Sequence, residues 1–398
     1  MRITCLTDSL GAGGSERQLT TIAAGLKARS HDVEFLVYDT ADHFRPGLDN
    51  AGIKCHIING GNRLRRMFEV RRALTRLKPE VVLAFLEGPA FFAEVATLPR
   101  RRFGVVVGER SAVPTLGYGK KYWIRLFHKF ADAIVTNSHT NRLMLERTFP
   151  EFRRKITTIY NVVNFNRFRP VPDMVSKAGV IRVVVAARYQ ALKNMGNVAR
   201  ALQLMQKGRN QPTVIVDWYG GTRRDDHCLK QVQDFVAQHG LADCFRFHPA
   251  KQDIEVEYAS ASAVGLFSFY EGLPNAVCEG MACEKPILLS DVCDSGSLVV
   301  ERENGFLCDP ASPESIAQGF ERLATASEEE RQRMGLASRQ KAEALFAEDG
   351  IITSYERILQ AAADRRPPPM DCTWPALVPQ SALSTVERWQ RERQGKYA

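Results

Sequence analysis

At 398 residues, 44% of them hydrophobic and 25% charged, the chain has the composition of a soluble globular protein with room for two domains that each bury a core. Its nine cysteines are odd in number and scattered, with no Cys-x-x-Cys pair or zinc-type cluster, which excludes a disulfide scaffold or zinc module and, with no signal peptide expected, fits reduced thiols in a cytosolic protein. The net charge of +9 belongs to the first part of the chain: residues 1–170 hold 28 Lys/Arg against 15 Asp/Glu, and residues 171–398 hold 26 against 30.

The chain opens with RITCLTD, a predicted strand, then the glycine-rich turn SLGAGG, then SERQLTTIAAGLKARSH, a helical pattern in which Ser15 and Gln18 fit a capping box. The glycines of GAGGSER (11–17) permit a tight turn and close approach of a ligand, and the helix start behind them attracts anions. A dinucleotide fingerprint wants a third glycine where Glu16 stands, so a nicotinamide or flavin enzyme is discounted. A structural turn and a phosphate-proximal loop both remain.

Further strand-like runs follow at VEFLVYD (33–39), VVLAFL (81–86), FGVVVGE (103–109), AIVTNS (133–138) and ITTIYN (156–161), most separated by helix-length segments. Continuous Val/Ile-rich runs alternating with helices predict a parallel sheet covered on both faces. The most apolar region, residues 81–99, is broken by Glu87, Gly88, Pro89 and Glu94 and reads as a strand, a loop and a helix instead of a bilayer span. Basic residues concentrate at 63–78, 100–102 and 120–129. The last cluster mixes its cations with Tyr122, Trp123, Ile124, Leu126 and Phe127. That mixture suits a helix on an anionic membrane surface and equally a helix with its apolar stripe in the core. Nucleic acid is a third reading, without a recognition motif to support it. His128 and His139 fall in helical segments away from strand ends, which favours structural roles.

Residues 162–179, with prolines at 170 and 172, read as a linker. The strand pattern then restarts at VIRVVVAARY (180–189), TVIVDWYGG (213–221), CFRFHPA (244–250), AVGLFSF (263–269), KPILLSD (285–291) and GFLCDP (305–310). The expected fold is α/β, two Rossmann-like doubly wound domains (1–165 and 180–350) facing across a cleft, with ligands at the carboxyl ends of the strands. Residues 351–398 are expected as a helix (354–362), a proline-rich stretch, and a short final helix or frayed tail at 384–394.

Two segments after strands carry candidate chemistry. In ARYQALKN (187–194), Arg188 and Lys193 stand where a strand ends and a helix begins, and suit a diphosphate leaving group whose charge grows as its bond breaks. In FYEGLPNAVCEGMA (269–282), Gly272 allows a sharp turn, Pro274 suits a first helical turn and Asn275 is a good cap. Glu271 precedes this helix and Glu279 lies about one turn inside it. They share no face, which excludes a metal pair or an acid/base dyad and suits two acceptors for sugar hydroxyls.

Taken together, the GG loop, Arg188 and Lys193, and Glu271-Gly-Leu-Pro-Asn followed by Glu279-Gly-Met-Ala resemble the GT-B glycosyltransferases of family 4, which retain anomeric configuration. The resemblance covers residues 1 to about 362 and includes NVVNFNRFRP (161–170) and ENGFLCDP (303–310). It implies a catalytic set of Arg188, Lys193 and Glu271, the two cations on the donor diphosphate and Glu271 on the transferred sugar. It implies donor binding by Glu279 at the ribose, by the backbone around Leu273, Pro274 and Asn275, and by Gly13 and Gly14 at phosphate, with the nucleobase near Phe247–Lys251. It further implies no metal ion and no cofactor beyond a UDP- or GDP-linked sugar. Where many relatives carry a histidine, GERS (108–111) places Glu109 and Arg110, an acceptor-side variant resembling bacterial relatives that act on polyprenyl-linked sugars. Asn164 stands in place of the family's usual Asp.

The function so implied is a retaining hexosyltransferase moving a sugar from a nucleotide-sugar to a polyprenyl-diphosphate-linked or polysaccharide acceptor in bacterial cell-surface glycan synthesis. It would work in the cytoplasm, peripherally on the anionic inner face of the membrane. The alternatives are a transferase acting on nucleic acid or a small molecule, and a non-catalytic nucleotide-sugar binding module. The intact Arg188, Lys193, Glu271 and Glu279 argue against the last.

Overall fold

A computed structural model describes residues 1–58, 61–110, 119–171, 180–206, 214–222 and 227–395. Residues 172–179 of the expected linker and Ser111 of the GERS stretch lie outside the described residues. The Val/Ile-rich runs form strands because a parallel sheet buries both of its faces, and all five residues of Val81–Phe85 are buried. In chain order the first sheet is built from β1 (Arg2–Leu6), β2 (Asp32–Val37), β3 (Lys54–Ile57), β4 (Val81–Phe85), β5 (Gly104–Glu109), β6 (Ala133–Thr136) and β7 (Ile156–Thr158). Its strands pair in parallel in the order β3-β2-β1-β4-β5-β6-β7. The second holds β8 (Ile181–Ala186), β9 (Val214–Gly220), β10 (Phe245–Pro249), β11 (Ala263–Leu266), β12 (Ile287–Ser290) and β13 (Gly305–Cys308), also parallel, in the order β10-β9-β8-β11-β12-β13. Two doubly wound α/β sheets are therefore present, as the alternating pattern predicts.

The chain divides into two compact units, one of Met1–Val162, Ala347–Val378 and Val386–Ala398, the other of Val163–Phe346 and Pro379–Thr385. The expectation of a separate 351–398 segment does not describe this division. Helix Glu348–Ala363 presents Ile351, Ile352, Tyr355, Ile358, Leu359 and Ala362 at helical spacing to the core that holds Ile3, Cys5 and Phe35, so it is part of the first unit. The final stretch is a helix, Gln380–Gly395, and not a frayed tail.

The Ser15–Gln18 capping box does not form. The first helix runs Gly14–Ala28 with Gly13 at its cap position, which leaves Ser15 inside the helix. Gln18 is buried, and its amide spends both functions on Val162: Nε2 donates to the Val162 carbonyl at 2.9 Å and Oε1 accepts its N–H at 2.8 Å. With its amide turned to Val162, Gln18 is not available to cap the helix start.

Candidate active site

Strand order in the second sheet reverses between β8 and β11, and in doubly wound sheets ligands bind at the carboxyl ends of the strands at such a reversal. ARYQALKN follows β8 and FSFYEGLP follows β11, which places the two segments singled out in the sequence side by side. Asn194 fixes the first loop. It adopts a left-handed conformation (φ 67°), which Asn tolerates, and its Nδ2 donates to the Phe267 carbonyl at 3.0 Å and the Pro310 carbonyl at 2.7 Å. The Phe269 N–H donates to the Leu192 carbonyl at 3.1 Å and ties the two loops together.

Held this way, Lys193 Nζ forms an ion pair with Glu271 Oε1, and the Ser268 hydroxyl donates to the same oxygen at 2.6 Å. Lys193 and Glu271 are 18% and 19% exposed, so the pair faces solvent at one edge and is shielded at the other. Arg188, in the same loop, is exposed. The structure thus brings Lys193 and Glu271 into contact, with Arg188 on the Lys193 loop.

The following helix is Asn275–Ala282, and its cap residue is Pro274, whose carbonyl accepts from the Val277 and Cys278 N–H groups at 3.1 and 3.2 Å. Asn275 is therefore the first helical residue and not the cap: proline, without an N–H to lose, takes the boundary at extended ψ (101°). Leu273 and Pro274 are buried, and Glu279 is buried in the helix body at 5% exposure. The helix sits close on β11 at Gly280, where a Cβ would come within 2.7 Å of the Val264 side chain.

In the first unit, Gly13 caps the helix after β1 and Gly14 is its first residue, one position ahead of the expected start at Ser15. The Glu16 carboxylate folds over Gly13 and fills the space a Cβ would take. An anion approaching these amides meets that carboxylate, so the dipole's attraction is partly offset there.

Glu109 ends β5 and turns inward, 5% exposed. Arg125 Nη2 bonds Glu109 Oε2 at 2.8 Å and Glu87 Oε1 at 3.0 Å; His128 bridges Glu109 Oε1 at 3.0 Å through Nε2 and Glu94 Oε1 at 2.6 Å through Nδ1. Burial alone would raise the Glu109 carboxyl, but Arg125 and His128 outweigh it and hold it at about 2. Burial would lower His128, but Glu94 and Glu109 outweigh it and hold the imidazole up at about 9, so it is an imidazolium at neutral pH. Glu94 is itself raised by burial, and its Oε2 is buried without a hydrogen-bond partner. Arg110 stacks on Phe85 (4.6 Å), reaches Tyr355 Oη at 3.3 Å and pairs with Asn161. His128, placed by the sequence pattern away from strand ends, is in fact bonded to the last residue of one.

This network also changes the reading of residues 120–129. The helix there ends at Arg125 and gives way to a 3-10 turn, Leu126–Phe130, so Arg125 and His128 are spent internally while Trp123 is 68% exposed. Among the described residues, no group of three or more His, Cys, Asp or Glu is placed to hold a metal ion, and no helix is long and apolar enough to cross a membrane.

Residues 12–167 match the model of Glycosyltransferase Family 4, and residues 174–341 that of Glycosyl transferases group 1. The chain belongs to the family 4 glycosyltransferases of the GT-B fold. It is 22% identical over 320 residues to an uncharacterized glycosyltransferase of Haemophilus influenzae, covering 78% of this chain and 87% of that protein. It is 21% identical over 323 residues, covering 78% and 85%, to a Campylobacter jejuni protein named GalNAc-alpha-(1->4)-GalNAc-alpha-(1->3)-diNAcBac-PP-undecaprenol alpha-1,4-N-acetyl-D-galactosaminyltransferase. Among solved structures it is similar in fold to Anabaena HepE in complex with UDP, with a TM-score of 0.79 at 18% identity, over 91% of this chain and 100% of that one.

In this glycosyltransferase, several residues around the candidate site escape a reading of the sequence. Ser268, Asn194 and Cys293 all support Glu271 or its loop, and none stands in a motif whose spacing announces it. The Asx-like signature of Asn194, a polar residue closing a turn just before a helix, is the one local signal available.

Proposed function

We propose that the enzyme is a retaining transferase that moves a hexose from a UDP- or GDP-linked donor to a lipid-linked glycan, without a metal ion. The observation that carries this reading is the Lys193–Glu271–Ser268 cluster at the reversal point of the second sheet. Lys193 and Arg188 take the diphosphate; Glu271 takes the sugar hydroxyls; Glu279 and the amides of the Asn275–Ala282 helix take the nucleotide. The bond from the anomeric carbon to the diphosphate oxygen breaks as the acceptor oxygen bonds that carbon, and the acceptor proton leaves with the diphosphate. Negative charge grows on the diphosphate in that step, where the two cations stabilise it most.

Support for a nucleotide-sugar comes from the UDP in the Anabaena structure, and support for a lipid-linked acceptor from the undecaprenol in the Campylobacter enzyme's name. A surface in the first unit adds to the latter. On helix Arg63–Leu77, Leu64 and Phe68 are 67% and 64% exposed, one turn apart, beside the exposed Arg63, Arg65 and Arg72. Apolar side chains in water among cations suit an anionic lipid surface, and with it a place on the inner face of the cytoplasmic membrane.

The test is a panel of UDP-, GDP- and ADP-sugars assayed for binding and slow hydrolysis, with Lys193→Ala and Glu271→Gln alongside. One sugar nucleotide should bind, and each variant should lose on the order of a hundredfold or more in turnover. Full turnover in either variant would remove the site assignment.

A further inference from the structure

The start of the last helix lies in the second unit with the candidate donor site, and two of its hydroxyls, those of Ser381 and Thr385, bond one segment. Thr385, 2% exposed, accepts the Cys293 N–H at 2.8 Å through its Oγ1. Ser381 Oγ accepts the Gly296 N–H at 2.9 Å. Cys293, 1% exposed, in turn offers its Sγ to the Glu271 N–H at 3.4 Å. A chain of contacts therefore runs from Thr385 through Cys293 to Glu271, and Glu271 Oε1 meets Lys193 and Ser268. Cys293 sits in the left-handed region (φ 55°), a conformation that a residue with a Cβ keeps only where its surroundings impose it. Thr385 supplies that restraint on the amide side.

We propose that Thr385, Ser381 and Cys293 are positioning residues for donor chemistry: the carboxyl-terminal segment clamps the 291–298 loop, and the loop sets where Glu271 points. This rests on Glu271 acting on the donor, as proposed above. A displaced Glu271 would leave the diphosphate held by Arg188 and Lys193 and lose alignment of the sugar, to which rate is steeply sensitive.

The experiment uses the full-length enzyme with the nucleotide-sugar that the panel identifies, and its nucleoside diphosphate as a competing probe. Thr385→Val should lower kcat on the order of tenfold with the inhibition constant of the nucleoside diphosphate within about twofold of wild type. Thr385→Ser, which keeps the hydroxyl, should restore kcat. Cys293→Ala provides the same kinetic test independently should Thr385→Val fail to fold, and is expected to show the same split. Unchanged kcat in folded Thr385→Val or Cys293→Ala overturns the clamp while leaving the donor reading intact, provided Glu271→Gln is inactive. Equal losses of turnover and nucleoside diphosphate binding, unrescued by Ser, also overturn it, because they report a general loss of structure. An active Glu271→Gln instead removes the reading on which the clamp rests.

Discussion

The residues that were legible in the sequence are those whose chemistry is local. Arg188, Lys193 and Glu271 announce themselves as candidates because each lies in the segment between a strand and the next helix, and the carboxyl ends of strands are where a doubly wound sheet opens. The Glu109 network is the opposite case. Glu87, Glu94, Glu109, Arg125 and His128 come from four separate elements, and their meeting depends on how those elements pack. That network carries a pH prediction. His128 is raised from its ordinary value to about 9, so its contribution to stability is complete below about pH 6.5 and is lost as pH rises through 9. Glu109 is held at about 2, so its contribution is complete above its ordinary range and is lost as pH falls towards 2. His128→Gln removes the first contribution and weakens the second, since His128 also helps hold Glu109 down, but at pH 6 and above Glu109 stays ionised beside Arg125 and the first contribution sets the difference. Urea denaturation should show the wild type ahead of His128→Gln by on the order of 3 kcal/mol at pH 6, with the gap closing above pH 9. Parallel stability curves across that range would show that His128 is not charged in the fold.

At the scale of elements, strands buried on both faces were the most legible, since their unbroken Val/Ile runs leave no other reading. β3 was missed because Lys54–Ile57 is a four-residue edge strand, exposed at both ends and only half-buried between, with no such run. Helix boundaries slipped where a glycine or proline took the cap from the residue with the better capping side chain, at Gly13 over Ser15 and at Pro274 over Asn275. Helix Arg63–Leu77 shows why charge alone was ambiguous. Its buried face is Val70, Ala73 and Leu74, yet Leu64 and Phe68 stay in water, and composition cannot separate these two sets. Each exposed apolar side chain is worth on the order of 2 kcal/mol if lipid covers it. The pair Leu64→Ser and Phe68→Ser should therefore weaken sedimentation with anionic vesicles on the order of a hundredfold or more, and raised salt should weaken the wild type further. Equal pelleting of wild type and double variant would remove this helix from the membrane contact.

At the scale of the whole molecule, the two-sheet architecture was legible from the restart of the strand pattern near residue 180, but the division of the chain was not. Whether a helix such as Glu348–Ala363 closes one core or begins a tail depends on which apolar surface it meets, and its own periodicity is the same in both cases. The division matters for the function proposed, because every named donor contact except Gly13 and Gly14 belongs to the second unit. A ligand that binds only the folded state stabilises it by about 2.7 kcal/mol at a hundred times its dissociation constant, or roughly a hundredfold in amide exchange for groups that open with the site. Saturation with the nucleoside diphosphate should therefore slow hydrogen exchange on that scale at residues 188–194, 268–279 and 291–298. In the first unit, slowing is expected only at the 11–17 loop, with β1, β4 and β5 unchanged. The 291–298 loop has no assigned ligand contact of its own, so its protection would report that it opens together with Glu271. Slowing confined to the first unit would place the nucleotide with the glycine loop and remove Lys193 and Glu271 from the donor site.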